Sequence, residues 1–534
     1  VNNPIVSEFI SSIPERLSDA VKRIREQQQQ QQLRITSTNA ENIISNRRKL
    51  AKYIAAFHSQ ADTDFAAVNQ SRANLQDPSA QILVSIHQPN LFSYGGVFKK
   101  IVLLQTLKSA LEQESNNNPF NTKFINLFLV VDHDFIDDTW MRVAQLPSIR
   151  HSNGILGLRM PIKNSNRWTM VRNMKKPSIT IINHWKNQVG CWIKSGSVAL
   201  DLERSEKLAL LENLELFWKE VNESYKRATS YADFNSFLMS RVVNKIWGYD
   251  TLFVRLSDIS DVFEDGFSFL LNNFRRYSQM LSESNMMFFQ NGINTGISQS
   301  IYLNAPLWLG CECGSKASVK LRDGVLYGSC ISCKKHLIVR LLKAHEIRYN
   351  DINRLSPKAI PILLLLSRDL GISCYALGMG GSIGYTMVGR LIFKELEINM
   401  PLTLFWASPD PVSPGLAQKE ALHVFDPTID PIVYAEQLRF KLQQYSERLF
   451  PRLTRRAELA RKKEYQSEEM KTVLQELDLI KQEQRRTRVS LNTCEKVIKA
   501  LTLKPCIIDY AVNIGLDETE RVWRKTLLRE DNLA

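Results

Sequence analysis

Five short apolar runs, at residues 81–86, 124–131, 252–256, 372–377 and 401–405, constrain what this chain can fold into. They are too short to read as helices and rich in Ile, Leu, Val and Phe, as expected of strands buried on both faces. Segments with helical periodicity lie between them: residues 97–111 follow the first run, 232–247 precede the third, and 383–396 link the last two. Strands alternating with helices predict an α/β fold built on a doubly wound parallel sheet, with its ligand crevice at the carboxyl ends of the strands.

At 534 residues the chain is about three times the length of one domain. Its 44% apolar and 23% charged residues exclude long disorder. The pattern divides it into an N-terminal helical segment (1–80), a core in two parts (81–300, with a helical insertion, and 346–430), a cysteine-rich insertion (301–345) and a C-terminal coiled coil with a tail (431–534). In the last part Val473, Leu477, Ile480, Gln484, Thr487, Leu491, Cys494, Ile498 and Leu501 recur at alternating spacings of 3 and 4. That heptad seam suits a helical hairpin or a homodimeric coiled coil. Pro451 is expected to end an earlier helix over 432–449.

The longest apolar runs, 124–131 and 360–366, fall far short of the roughly 20 residues that span a bilayer. Residues 1–25 carry Glu8, Glu15, Arg16, Asp19, Lys22 and Arg23 without a continuous apolar core, so no secretory signal is expected and a cytoplasmic location is. The 69 basic and 55 acidic side chains leave a net charge of +14. Spread over this length, the excess permits a polyanionic partner without requiring one. Arg455, Arg456, Arg461, Lys462 and Lys463 form the densest basic run; a solvated helix face or a tRNA contact would both use it.

Three strand-ending loops should meet at the crevice. The first begins His87-Gln88-Pro89-Asn90 and leads to Gly95-Gly96, where an imidazolium at His87, the polar side chains of Gln88 and Asn90, and backbone N–H groups could hold a nucleotide phosphate. The second is Asp132-His133-Asp134: one carboxylate could orient the imidazole and the other hold an amine or Mg2+, or the acidic residues could simply cap the next helix. The third, Gly378-Met379-Gly380-Gly381-Ser382, resembles a phosphate cradle, although its spacing is not the dinucleotide fingerprint. Outside the crevice, Cys311-x-Cys313 and Cys330-x-x-Cys333 flank two short strands and two glycine turns. This spacing predicts a closed structural zinc site on a zinc ribbon, with His336 near enough to replace one ligand.

The order of these motifs resembles the bacillithiol biosynthesis cysteine-adding enzyme (BshC) family. The resemblance runs through residues 46–75, the Ser85-Ile-His-Gln-Pro-Asn-Leu-Phe loop, Phe128-Leu-Val-Val-Asp-His-Asp-Phe, residues 231–257, Ser356-Pro357, residues 378–385, Met400-Pro401 and the heptad seam. It implies a Rossmann-like, class I aminoacyl-tRNA synthetase-like core and a ligase that joins an amino acid, cysteine in the family, to an amine of a small amino-sugar. ATP or another adenine nucleotide, with Mg2+, would then be expected, with His87 and residues 378–382 at the phosphates, Asp132 or Asp134 at the ammonium, and His133 as base or orienting group. The chain departs from the family at Ile86-His87-Gln88, Val131, Ser382 and Trp406, and in carrying the cysteine insertion. Those departures keep open a tRNA-binding relative and a member that has lost its chemistry.

Overall fold

The computed structural model of the chain describes residues 4–32, 39–115, 122–297, 304–378, 382–406, 410, 412, 415–426 and 428–530. Its strands are β1 (Gln81–His87), β2 (Phe124–Val130), β3 (Val143–Pro147), β4 (Ile155–Arg159), β5 (Leu252–Arg255), β6 (Asn304–Gly310), β7 (Lys316–Arg322), β8 (Val325–Ser329), β9 (His336–Arg340), β10 (Leu355–Pro357), β11 (Ile372–Leu377) and β12 (Leu402–Phe405). The five apolar runs form one parallel sheet in the order β12-β11-β1-β2-β5. Ranked by their appearance in the chain and read from β5, this is 3-2-1-4-5, the doubly wound order, with its switch point between β1 and β11.

Burial on both faces explains why these strands lack polar alternation. Leu83, Phe124, Phe128 and Val130 pack into the core on one side, while Ile82, Val84, Ile125, Leu127 and Leu129 pack on the other. A second, antiparallel sheet runs β10-β6-β7-β8-β9 and carries the cysteines. Its Leu307, Leu309, Ala317 and Val319 join the same core as Ile82 and Val84, so this sheet is packed into the molecule.

The N-terminal helices close the opposite end of the parallel sheet. Arg47, on the helix Asn39–Ala61, is buried and donates from Nε to the Leu370 carbonyl (2.9 Å) and from Nη1 to the Ala80 carbonyl (3.1 Å). Further bonds reach the carbonyls of Asp77 (3.2 Å) and Gly371 (3.4 Å). Ala80 precedes β1 and Gly371 precedes β11, so one guanidinium fork joins the entries of both switch-point strands. Burial lowers the Arg47 pKa to about 10, with Asp77 opposing, and the group stays charged at neutral pH.

Two features differ from the sequence reading. Pro451 does not end a helix: Pro431–Arg461 runs through it. The proline removes one N–H, and the carbonyl released four residues earlier belongs to solvent-exposed Glu447, where water can satisfy it. The partner helix, Glu468–Thr502, returns antiparallel along the first, with Arg439–Glu495, Arg452–Glu476 and Arg455–Glu469 ion pairs between them. Met470, Val473, Leu477, Ile480, Thr487 and Cys494 are buried along this hairpin, so the seam is covered within the chain as far as Cys494; beyond it Val497 and Ala500 are buried in place of half-buried Ile498 and exposed Leu501.

The second difference is at Gly95-Gly96, expected to offer N–H groups to a phosphate. The Gly95 N–H donates to the Pro505 carbonyl (3.1 Å), and a Cβ at Gly95 would lie 2.6 Å from the Tyr510 ring. At Gly96 a Cβ would meet the Tyr94 ring at 2.8 Å. Gly95 lets the C-terminal Tyr510 pack against the start of the helix Gly95–Ser115, a long-range contact that local sequence does not reveal, whereas Gly96 makes room for the ring of its near neighbour Tyr94.

Replacing Arg47 by Met should leave buried carbonyls at both strand entries without a donor. Urea denaturation should show a loss of about 3 kcal/mol or more, given ~1–3 kcal/mol per unsatisfied buried group, with Arg47→Lys recovering only part because an ammonium lacks the fork. A loss below about 1 kcal/mol would deny Arg47 this role.

Candidate functional site

At the carboxyl ends of β1 and β11 lies a cavity of about 760 Å3. Five residues expected at the crevice line it: His87, Gln88, His133, Asp134 and Gly378. Gly380 and Gly381 fall outside the described residues, as does the side chain of Ser382, which begins the helix Ser382–Glu395. Asn90 and Asp132 do not line it. Asn90 is buried by a separate, small pocket beside Leu91 and Trp140. Asp132 points under β5, where its carboxylate accepts from the Ser257 N–H (3.1 Å) and from the Ser257 hydroxyl. Burial raises its pKa against the pull of Arg172 and Ser257. Helix capping falls to Asp138, which accepts from the Trp140 N–H.

His87 is neutral, not the imidazolium expected. Its Nδ1 faces the Gln88 carbonyl (3.0 Å), which can only accept, so this nitrogen carries the proton and Nε2 accepts from the Tyr94 hydroxyl (3.2 Å). Burial, reinforced by nearby Lys100, lowers its pKa to about 3. His133 is held neutral in the same way, by burial and then Lys316, also to about 3. Its Nδ1 has no hydrogen-bond partner among the described residues. Asp134 stays ionised: burial opposes the charge, but Lys316 and the Gln88 amide (3.0 Å) hold its pKa below the usual value.

The cations of this site went unseen in the sequence. Lys100 lines the cavity with its Nζ on the Ile86 carbonyl (2.8 Å), and burial lowers its pKa to about 7. Lys358 lines it from the opposite wall, lowered to about 8 by burial and then by Lys316. Lys316 stands behind that wall, 2.7 Å from the His133 carbonyl and 3.5 Å from Asp134 Oδ1, and is itself lowered to about 8 by burial. Both ammonium groups contact the Trp308 ring, whose centroid is 4.5 Å from Lys316 Nζ and 4.9 Å from Lys358 Nζ. Lys100 did leave a sequence signal, a charged pair at 99–100 inside the otherwise apolar stretch 97–104. Lys316 left none, because only folding brings the cysteine-bearing sheet to the crevice.

The four cysteines come together outside the cavity, their Sγ atoms all within 4.8 Å of one another. Cys311 and Cys333 are 3.6 Å apart, and Cys313 and Cys330 3.5 Å. A tetrahedron with metal–sulfur bonds of ~2.3 Å has edges of about 3.8 Å, so the thiols fit one ion. Gly314, at φ +86°, supplies the left-handed turn that folds the first pair back. His336 instead faces Ser329 (3.2 Å). On the hairpin, Arg455 is engaged by Glu469 and Glu458, which offsets part of the basic run.

The three buried histidines His58, His87 and His133, each lowered to about 3, give the fold an acid sensitivity. An unfolded chain binds their protons near pH 6.5 while the folded one does not, so stability is full above pH 6.5 and falls as pH drops toward 3. The slope is about 1.4 kcal/mol per pH unit for each imidazole. Melting temperatures across pH 7.5 to 4.5 should decline steadily; a flat profile would contradict the neutral assignments. No family model matches this chain, and no curated protein matches it significantly.

Proposed function

We propose that the protein is an ATP-using ligase that binds its nucleotide in the switch-point cavity and joins an amino acid to the amine of a small amino-sugar, as the motif resemblance implies. The observation that carries this reading is the charge of the cavity: Lys100 and Lys358 face it, and Asp134 is the single carboxylate among the described lining residues. Two lysines held in a poorly solvated wall, with a third behind, favour an anionic occupant, which would offset their burial and mutual repulsion. In the proposed reaction the amino-acid carboxylate attacks the α-phosphorus and releases pyrophosphate. The acceptor amine then attacks the acyl carbon, forming the amide and releasing AMP. Lys100 and Lys358 would take the phosphates and Asp134 the amino-acid ammonium, while His133, whose buried Nδ1 is unpartnered among the described residues, would serve as base or orienting group for the incoming amine. Mg2+ would be held chiefly by phosphate oxygens, with Asp134 the one carboxylate at hand.

We assign zinc to the four-cysteine site, because soft thiolates select it and four of them leave no open position for a reactive water. A cytoplasmic location suits both the thiolates and the nucleotide.

Calorimetric titration with ATP, and with inorganic pyrophosphate as a probe without a base, tests the nucleotide reading. Lys358→Met should weaken both by about tenfold or more, the scale of one charge-assisted contact. Protonated lysine is the binding form, so affinity should also fall as pH rises from 7 to 9, with proton uptake on binding. Absence of ATP binding in the unaltered protein would overturn the proposal.

A further inference from the structure

The two cysteine loops meet at Lys316. The first, residues 311–315, is closed by the Cys311 N–H on the Ser315 carbonyl (2.8 Å) and the Gly314 N–H on the Cys311 carbonyl (2.9 Å), and Lys316 is the next residue. The second touches the same position from the other side, where the Ile331 N–H donates to the Lys316 carbonyl (3.1 Å), one residue after Cys330. Lys316 begins β7, and Ser318, two residues on and so on the same face, lines the cavity and accepts from Lys358 Nζ (3.2 Å).

A second route joins the same loop to the crevice. The Gly314 carbonyl accepts from the Met170 N–H (2.9 Å) and the Asn173 side chain (3.0 Å). The next residues of that segment then bond the acidic loop: the Val171 N–H reaches the Asp134 carbonyl (2.9 Å) and the Arg172 N–H the Asp132 carbonyl (3.1 Å). The thiol cluster and the Asp132-His133-Asp134 loop are therefore connected through the Lys316 side chain and through residues 170–172.

We propose that a metal ion held by Cys311, Cys313, Cys330 and Cys333 positions Lys316 against Asp134 and Trp308, so that metal occupancy sets the geometry of the cavity wall. This rests on the cavity being the ligand site, but the coupling can be read without any ligand. Lys316 is almost wholly buried, and its ammonium is served by the His133 carbonyl, Asp134 and the faces of Phe135 (4.7 Å) and Trp308. That arrangement holds only while both loops keep the start of β7 in place. Four metal–thiolate bonds tie the loops together; without the ion, the thiols offer each other only weak S–H contacts, and thiolates would repel. Lys316 is a positioning residue in this scheme, acting through Asp134 and Trp308.

The test uses the full chain, zinc as the only added probe, and residue-resolved acylation of lysines read by mass spectrometry. The chain should hold one zinc, and stripping it should raise Lys316 acylation about tenfold, a typical size for coupling between two sites, with re-added zinc reversing the change. Lys108, buried on the helix Gly95–Ser115 and outside the cavity lining, should be unchanged. Cys313→Ser, at an exposed thiol, should weaken zinc binding and shift Lys316 in the same direction without chelator. A chain that binds no metal would overturn the proposal, as would unaltered Lys316 acylation after stripping, or a joint rise at Lys316 and Lys108 that reports general unfolding. A protein that failed to bind ATP could still pass this test, so the two readings fail separately.

Discussion

Everything at the crevice depends on β1 and β11 lying side by side, although nearly the whole core separates them in the chain. Their ladder, from Ile82↔Ile372 to Ser85↔Ala376, is parallel and buried. Its entry is tied by Arg47, whose guanidinium gathers carbonyls from the residues just ahead of each strand. A buried cation satisfied by carbonyl dipoles is costly to desolvate and more costly to leave unmatched, which makes the join specific. Adjacent strands whose following helices cross to opposite faces must leave a gap at their far ends, and that gap is the cavity.

The walls of the gap come from distant parts of the chain. β1 and its helix contribute His87 and Lys100, the end of β2 contributes His133 and Asp134, and the antiparallel sheet with the segment after it contributes Trp308, Ser318 and Lys358. Low solvation acts on all of them in one direction: it disfavours charge, so the imidazoles are neutral and the lysine ammonium groups are made more acidic, Lys100 to about 7 and Lys358 to about 8. Asp134 escapes that rule because Lys316 and Gln88 compensate it. The site is thus built around a deficit of negative charge that the protein does not itself fill.

The cysteine-bearing sheet reads in the sequence as an independent ribbon, and the structure gives it two faces. One end gathers the thiols, of which Cys311 and Cys330 already belong to the core shared with the parallel sheet, and Trp308 and Ser318 close the cavity. Its apolar residues Leu307, Leu309, Ala317 and Val319 pack into that common core.

Continuous apolar runs determined the parallel strands, because a strand covered on both faces has no polar side to alternate. The Cys-x-Cys and Cys-x-x-Cys spacing determined the thiol cluster, since each pair closes its own turn. The heptad spacing determined the hairpin's buried stripe from Val473 to Cys494, beyond which Val497 and Ala500 take the place of Ile498 and Leu501. Tertiary structure alone decided the partner of that stripe, the packing role of Gly95 and Gly96, the neutrality of His87, and the withdrawal of Asp132 and Asn90 from the crevice. It alone brought Lys316, Trp308 and Lys358 to face a loop some 175 to 225 residues earlier in the chain. Periodicity and turn spacing are local properties and survive in a string of letters; burial, protonation and long-range hydrogen bonds exist only once distant segments share a surface.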